Sequence, residues 1–300
     1  MHSYNFRHIV VREHNNVLFI TLHIPETRNA LAPEVVAELT HVTAFAHNNT
    51  HIRALVIRGS QGFFCAGGNI GSFQSRLNQP APQQHVNPTE DPVARHNRRF
   101  GYFLESFSTL PIPVIAVVEG AAMGGGLGLA CCADVVLATK NAKFGLVETT
   151  LGIIPAQIAP FVHARIGRRN TLRLGLFGER VSGTQAQELG IVDELAGDSA
   201  GLDALLAQWL TRMSRCAPNA NRALKKLIST NNACHPDHLS AQLDHAAHLF
   251  SHCMSDEGPE GISAFREKRS SCWSTAFTAE HVQALQAPAP AAASTQNKTP

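Results

Sequence analysis

Two glycine-rich turns in this sequence have the composition of a site for an oxygen that becomes negatively charged. The first is GFFCAGGNI at residues 62–70 and the second is GGG at 124–126; each follows an apolar segment, ALVIR or PVIAVVEG. Glycine lets the backbone approach a ligand closely, and the apolar run after GGG predicts a helix whose first N–H groups are unpaired. Each turn can therefore direct one N–H at the same point, and together they form a two-donor oxyanion hole.

Taken alone, the GGG turn fits a second interpretation equally well. Three glycines after a strand also form a tight turn that packs against a neighbouring segment without any ligand. The first turn, after its own strand, favours the oxyanion hole. Both preceding segments are dense in β-branched residues and show no polar alternation, which predicts parallel strands buried on both faces.

Composition narrows the class of protein. The chain has 300 residues, of which 44% are hydrophobic, and a formal net charge of +2, so we expect a globular enzyme and no nucleic-acid partner. Its seven cysteines include no CxxC pair, so we expect reduced thiols, a cytoplasmic location and no metal site. The apolar stretch at 110–138 is interrupted by prolines, glycines, Glu119 and Asp134, so we expect no membrane span.

Other segments predict the elements that hold the two turns. Residues 9–24 fit two strands around the turn HNN. Helical spacing of apolar residues predicts one helix at 33–47 and another at 95–108, and the proline-rich segment 75–92 before the second helix fits a loop or insertion. These elements and the two buried strands predict a mixed α/β protein.

Three parts of the chain differ in pattern. Residues 1–197 mix strands and helices and contain both turns, so we assign the site to this core. Residues 198–274 show helical patterns only, and we predict a helical region there. The last segment, 275–300, is rich in Ala, Pro, Gln and Thr, and we predict a disordered tail.

Three segments in this order resemble one known family. FCAGGNI, VEGAAMGGGLGLACCADVVLA and AKFGLVETTLGIIPAQIAPFV are similar to the motifs of the enoyl-CoA hydratase/isomerase (crotonase) superfamily. The resemblance extends from about Val10 to about Trp273. It implies an α/β fold built as a spiral of ββα repeats with a C-terminal helical oligomerisation region. It also implies an acyl-CoA substrate and a homo-oligomer, either a trimer or a dimer of trimers that forms a hexamer.

The same resemblance assigns roles to individual residues. The N–H groups of Gly68 and Gly125 would bind the thioester carbonyl oxygen, and Glu148, in FGLVETTLG, would transfer the proton. Without the resemblance, Glu148 fits a surface glutamate in a loop. Coenzyme A would enter as part of the substrate, with no separate cofactor. The resemblance gives it these contacts: Arg28, Ala30, Ala66, Gly67, Gly68, Asn69, Ile70 and Lys268.

Alternatives remain open for two residues near these contacts. Asn29, in the loop with Arg28, fits a cap for the next helix, with Pro33 in the first turn of that helix. Lys268 fits a solvated helix residue as well as a phosphate contact.

The chain departs from the family at Gly128, where most of its hydratases carry a second glutamate. One interpretation is a Δ3,Δ2-enoyl-CoA isomerase, in which a single glutamate moves one proton between carbons. The other is a hydratase of branched, carboxylated enoyl-CoAs, because GLVETTLGIIPAQIAPFV, RCAPNAN and EGISAFREKR resemble the isohexenylglutaconyl-CoA hydratases of acyclic terpene breakdown. Gly128 would then leave room for a bulky acyl chain. In the alternative it only eases helix packing.

A third interpretation is a catalytically idle acyl-CoA-binding protein of this fold, because fold does not imply function. Retention of Glu148 with both glycine turns argues against it. We therefore expect a hydro-lyase that converts a branched, carboxylated 2-enoyl-CoA to its 3-hydroxyacyl-CoA.

Overall fold

The computed structural model describes residues 6–68, 92–229 and 256–285, and statements about the structure refer to these ranges. The strands are β1 Ile9–His14, β2 Val17–Leu22, β3 Ala54–Gly59, β4 Val114–Val118, β5 Ala121–Met123, β6 Val135–Thr139, β7 Lys143–Gly145, β8 Arg180–Ser182 and β9 Glu194–Ala196. The helices are α1 Pro33–Asn48, α2 Pro92–Ser108, α3 Gly125–Cys131, α4 Ala159–Phe177, α5 Gly183–Glu188, α6 Ser199–Ser214, α7 Pro218–Ser229, α8 Gly258–Glu267 and α9 Ala279–Ala284. Two short 3-10 helices span Pro25–Thr27 and Glu148–Leu151.

Six strands form the main sheet in the order β1-β2-β3-β4-β6-β9. All neighbours run parallel except β1 and β2, which form an antiparallel hairpin. Asn15 and Asn16 make its two-residue turn with φ of +49° and +63°, the backbone that favours a right-twisted hairpin. Every residue of β2, β3 and β4 is buried, which confirms the strands predicted from their unbroken apolar composition.

A second, smaller layer lies beyond the ends of the main-sheet strands. It contains the three-stranded sheet β5-β7-β8 and two isolated bridges, Leu31 to Gly68 and Cys65 to Ala122. The chain leaves β3, β4 and β6 and enters this layer each time, at Cys65, β5 and β7. The predicted α/β spiral of strand–strand–helix repeats is confirmed. Both glycine turns lie in the second layer.

Apolar residues cover both faces of the main sheet. Helices α1 and α2 bury one side, with Leu39 and Phe103 among the fully buried residues. Helix α6 covers the other, where Leu206 packs into the same cluster as Val56 and Val117. Residues of α6, which follows the predicted boundary at 197/198, therefore pack in the same core as the main sheet. The role of residues 198–274 in oligomerisation stays a prediction. The helix predicted at 95–108 is confirmed within α2, whereas residues 75–91 of the predicted loop lie outside the described residues.

The start of the predicted tail is ordered, which corrects the sequence interpretation. Residues 275–285 pack along α6: Phe277 and Val282 are buried, and the Phe277 N–H donates to Thr211 Oγ1 at 3.0 Å. The average composition of 275–300 hid these few apolar residues. Residues 286–300 lie outside the described residues. In the described ranges no helix is both long and apolar enough to cross a membrane.

Phe277→Ala should lower the free energy of unfolding by about 3–5 kcal/mol, because it opens a cavity between α6 and the sheet. Chemical denaturation measures the change. Gln283→Ala, on the exposed side of α9, is the matched control and should be close to neutral. Equal stability of the two variants would contradict the packing described for this segment.

Candidate active site

The two glycine turns are joined by direct backbone contacts. The Phe64 N–H donates to the Glu119 carbonyl at 2.8 Å, the Cys65 N–H to the Ala121 carbonyl at 2.9 Å, and the Met123 N–H to the Cys65 carbonyl at 3.1 Å. Gly67 has a φ of +102°, and a Cβ on it would lie 2.8 Å from the Met123 carbonyl oxygen. Only glycine fits this position. The turns that the sequence separates by more than fifty residues therefore form one structural unit.

The N–H groups assigned to the oxyanion hole lie on either side of this contact. A Cβ on Gly67, the neighbour of Gly68, would be 3.8 Å from the Gly125 nitrogen. Gly125 is the first residue of α3, so its N–H has no partner within the helix. Gly68 bridges to Leu31 through the neighbouring bond, from the Leu31 N–H to the Gly67 carbonyl at 2.8 Å. Among the hydrogen bonds of the described residues, neither the Gly68 nor the Gly125 N–H is a donor.

Glu148 lies directly over the second turn. It begins the 3-10 helix that follows β7. The Thr149 hydroxyl connects this 3-10 helix to α4 by donating to the Gly175 carbonyl at 2.5 Å. A Cβ on Gly124 would be 2.7 Å from Glu148 Oε1. Oε2 is buried and has no hydrogen-bond partner in the described part of the chain. Glu148 is thus half-buried in a 3-10 helix with one shielded oxygen, which does not fit a fully exposed glutamate in a loop.

Burial changes the acidity of this carboxyl group. Loss of water around the side chain raises the pKa of Glu148, and hydrogen bonds from the backbone of Glu148 and Val147 offset part of that rise. A carboxylate with a raised pKa and an unpaired oxygen exchanges protons at a pH closer to neutrality than an exposed glutamate does. The arrangement suits general acid/base chemistry beside the two N–H groups that donate no hydrogen bond in the described part of the chain.

An apolar wall stands opposite Gly125. A Cβ on this residue would lie 3.5 Å from Leu31 Cδ1 and 3.5 Å from Phe100 Cζ. Helical spacing puts Phe100 and Phe103 on the same apolar face of α2. The structure places Phe100 beside the glycine turn, half-buried. Periodicity identifies the face of a helix but not the segment that it meets, so no signal in the sequence distinguished Phe100 from Phe103.

Comparison with known proteins agrees with this geometry. Residues 12–276 match the family model for enoyl-CoA hydratase/isomerase. The chain belongs to the enoyl-CoA hydratase/isomerase family. It is 32% identical over 268 residues to the 2,3-dehydroadipyl-CoA hydratase of Escherichia coli (strain K12), covering 87% of this chain and 96% of that protein.

Two solved structures are similar over nearly the whole fold, each 40% identical with a TM-score of 0.82. They are an enoyl-CoA hydratase/isomerase from Marinobacter aquaeolei, with 89% of this chain and 98% of that chain covered, and Pseudomonas aeruginosa AtuE, with 90% and 100% covered. Membership of the family makes the protein an enzyme of the hydratase or isomerase type that acts on acyl-CoA.

The loop assigned to coenzyme A in this family lies against the first glycine turn. Arg28 is exposed, its carbonyl accepts the Ala66 N–H at 3.0 Å, and its guanidinium lies 5.7 Å from the centre of the Phe63 ring. The Ala30 N–H is held by Thr27 Oγ1 at 3.3 Å. Two more of the assigned residues, Asn69 and Ile70, lie outside the described residues.

The Asn29 side chain holds this loop by hydrogen bonds and does not cap a helix. Ala32 is the N-cap of α1, with Pro33 as its first residue, so the predicted position of Pro33 is confirmed and the capping role of Asn29 is wrong. The Asn29 side chain is fully buried. Its Oδ1 accepts the Ile24 N–H at 2.9 Å, and its Nδ2 donates to the Phe63 carbonyl at 2.6 Å. This amide joins the loop of Arg28 to the strand end that carries the first turn.

The contacts of the described chain do not bring Lys268 to the glycine turns. It ends α8 in the left-handed conformation, with a φ of +54°, and is exposed. The segment after it packs at the start of β3, where Arg53 donates to the Trp273 carbonyl. The turns lie beyond the opposite end of β3. A contact between Lys268 and coenzyme A stays a prediction.

Gly128 is filled by packing, which corrects the expectation that it leaves room for a bulky acyl chain. A Cβ on this residue would lie 2.3 Å from Ile158 Cγ2 and 2.5 Å from Ile158 Cβ. Ile158 directly precedes α4 and is 3% exposed. The interpretation that Gly128 eases helix packing is therefore right about the geometry, and a glutamate does not fit here without rearrangement.

Metal and thiol chemistry find no support in the described residues. No three His, Cys, Asp or Glu residues lie together as a metal site within them. Their five cysteines are free, and Cys65, in the first turn, is fully buried. Burial raises the pKa of the Cys65 thiol to about 12, so this residue stays protonated and acts as a packing group.

Gly128→Ala should destabilise the protein by about 1–3 kcal/mol, because the added methyl group overpacks the contact with Ile158 and outweighs the gain in helix propensity. Gly125→Ala is the matched control on the same helix, since its Cβ would meet only ordinary contact distances. Urea unfolding compares the two. A Gly128→Ala protein as stable as Gly125→Ala would show that the space at Gly128 is open.

Proposed function

We propose that this protein hydrates a branched, carboxylated 2-enoyl-CoA to the 3-hydroxyacyl-CoA. The observation that carries the proposal is the Glu148 carboxylate over Gly124, with one buried oxygen that has no described partner, next to the two N–H groups that no described residue uses. In this proposal one proton-transfer group and two neutral hydrogen-bond donors act around a single point. A thioester carbonyl needs both during addition to its conjugated double bond.

In the proposed reaction the thioester oxygen accepts hydrogen bonds from the Gly68 and Gly125 N–H groups. Glu148 removes a proton from water while the water oxygen bonds to C3. The electron pair of the double bond moves toward the thioester, and the oxygen becomes an enolate that the two donors stabilise. Glu148 then gives its proton to C2. The net change is the addition of one water molecule, and the glutamate returns to its starting state.

Two observations favour a carboxylated acyl group. Segments of the sequence resemble the isohexenylglutaconyl-CoA hydratases, whose substrate carries a second carboxylate and a branch at C3. The similar 2,3-dehydroadipyl-CoA hydratase also bears a name that denotes a dicarboxylic acyl group. We therefore propose an isohexenylglutaconyl-CoA type of substrate, from acyclic terpene breakdown. Gly128 no longer supports this choice, because Ile158 occupies the space beside it.

One specific observation favours isomerisation as the second candidate. Since packing excludes a glutamate at Gly128, Glu148 carries the acid/base chemistry without the second glutamate that most hydratases of the family place there. A single carboxylate is sufficient to move one proton from C2 to C4. The idle-protein alternative has less support, because a buried carboxylate oxygen without a described partner lowers stability and has no structural purpose in the described contacts.

The coenzyme A part of the substrate completes the proposal. We assign it to Arg28, Ala30 and the backbone of residues 66–70, which the Asn29 amide and the Ala66 hydrogen bond hold in one loop cluster where they are described. Lys268 would contribute a point charge for a phosphate. The trimeric or hexameric assembly and the cytoplasmic location remain predictions.

Glu148→Gln should lower kcat by about 10²–10⁴-fold, because the amide keeps the shape but cannot exchange the proton. The raised pKa of Glu148 means that wild-type kcat/KM should fall at acidic pH from a midpoint above the ordinary glutamate range, and the variant should lack that limb. A raised pKa in the folded state also means that ionisation costs stability as pH rises through it. The variant should therefore be at least as stable at pH 7, which thermal unfolding checks. Near-normal turnover by the folded variant would refute the assignment.

Turnover in H₂¹⁸O should distinguish hydration from isomerisation. With 3-methylglutaconyl-CoA or isohexenylglutaconyl-CoA we expect a 3-hydroxyacyl product that carries the label, and much slower turnover of crotonyl-CoA. Mass spectrometry measures the label. A shifted double bond with no oxygen gained would mean that the enzyme is an isomerase, and equal turnover of crotonyl-CoA would contradict the preference for a carboxylated chain.

A further inference from the structure

Arg58 is buried between two carboxylates on different elements. Its Nη2 donates to Glu119 Oε2 at 2.5 Å and its Nη1 to Asp203 Oδ1 at 2.9 Å. The side chains are 7%, 12% and 5% exposed, in that order. Arg58 lies near the end of β3, Glu119 directly follows β4, and Asp203 lies in α6. The cluster therefore connects the ends of two adjacent strands to the helix that covers them.

Stability alone is a weak explanation for this cluster. Two carboxylates around one guanidinium carry a net charge of −1, and taking three charges out of water costs more than a single attractive pair regains in many proteins. Buried ionic groups are retained in some proteins because they define one geometry among several of similar energy. The geometry that this cluster would define is that of the backbone segments bonded to Glu119.

Glu119 lies between β4 of the main sheet and β5 of the second layer. Its side chain pairs with Arg58, and its own carbonyl accepts the Phe64 N–H at 2.8 Å. Before this point Arg58 pairs with Val117 in the main sheet, and after it Cys65 bridges to Ala122. Both glycine turns begin a few residues later. A shift of Glu119 would therefore move one turn relative to the other.

The backbone directly after Glu119 is tightly packed against the chain that follows β3. Gly120 has a φ of +64°, and a Cβ on it would lie 2.5 Å from the Gly62 carbonyl oxygen. On its other side the cluster borders a cavity of about 410 Å³ lined by Arg58, Ser60 and Glu119, among others. Side-chain changes within the cluster therefore have room, whereas the backbone that it holds does not.

We propose that Arg58 is a positioning residue for the oxyanion hole: through Glu119 it sets the separation of the Gly68 and Gly125 N–H groups, and Asp203 orients its guanidinium. The inference rests on the proposed function, because it presumes that these N–H groups bind the thioester oxygen. Arg58 itself acts through Glu119 and not on the substrate. Since a misplacement of about 1 Å can cost about 10²-fold in rate, a small movement of either turn is enough to matter.

The test variant is Glu119→Gln, which keeps the size of the side chain and removes its charge. The matched control is Arg53→Lys, because Arg53 precedes the same strand β3 at its other end and donates to the carbonyls of Ser214, Cys216 and Trp273. Both substitutions are made in the otherwise wild-type protein, and kcat and KM are measured for each variant. Both are also made in the Glu148→Gln background, where bound 3-methylglutaconyl-CoA with a ¹³C-labelled thioester carbonyl is examined by infrared difference spectroscopy.

We expect the carbonyl stretch of the bound thioester to lie below that of the free thioester in the Glu148→Gln background. Glu119→Gln should reduce this shift and lower kcat by about 10–10²-fold, with a much smaller change in KM. Arg53→Lys should leave the carbonyl shift and kcat unchanged, whatever its effect on Tm. A purely structural role for the cluster would change Tm without changing the stretch.

The outcomes separate this inference from the proposed function. If the Glu148→Gln protein binds the thioester and shows no carbonyl shift, the oxyanion hole itself is refuted and the inference with it. If the shift is present and Glu119→Gln leaves it intact, the hole stands and the positioning role is refuted. Should Glu119→Gln fail to fold, Asp203→Asn is used in its place, and an unchanged shift in that variant also refutes the role.

Discussion

The backbone pairing between the chain after β3 and the chain after β4 is the constraint on which the site depends. Phe64 and Cys65 bond to Glu119 and Ala121, and Gly67 then lies so close to Met123 that a side chain would collide with its carbonyl. This close approach brings the two turns together, and the Gly68 and Gly125 N–H groups are not donors among the hydrogen bonds of the described ranges. Backbone donors need no ionisation and little reorganisation, so their value as a hole depends almost entirely on how rigidly the pairing holds them.

The position of Glu148 beside the second glycine turn lowers the stability of the folded protein. The 3-10 helix after β7 places its carboxylate against Gly124, a position where one oxygen is buried without a described partner. Burial raises the pKa of Glu148, so the ionised form is disfavoured in the folded protein. A site that ran no proton transfer would gain stability by replacing this residue. Its presence at the glycine turn is therefore the strongest chemical signal in the molecule.

Gly128 shows the opposite case, in which a departure from the family pattern has a packing cause. The contact with Ile158 packs the start of α4 onto α3 and closes the position where the family resemblance leads us to expect a second glutamate. Glu148 is then the carboxylate to which we assign the acid/base chemistry beside the turns. This limits the reactions available to those in which one carboxylate can receive a proton and return it, and both hydration and double-bond shift meet that condition.

The sequence by itself determined the buried strands, the hairpin turn, the main helices and the two glycine turns. These features depend on local backbone preference and on the period of apolar residues, both of which are visible in a short segment. The family resemblance added Glu148 and the N–H donors. Neither source revealed the hydrogen bonds of the Asn29 side chain, the contact between Gly128 and Ile158, the position of Phe100 or the burial of Phe277. Each of these depends on which distant segment occupies the adjoining space. Only the tertiary structure decides that, because close packing is set by neighbours far apart in the chain.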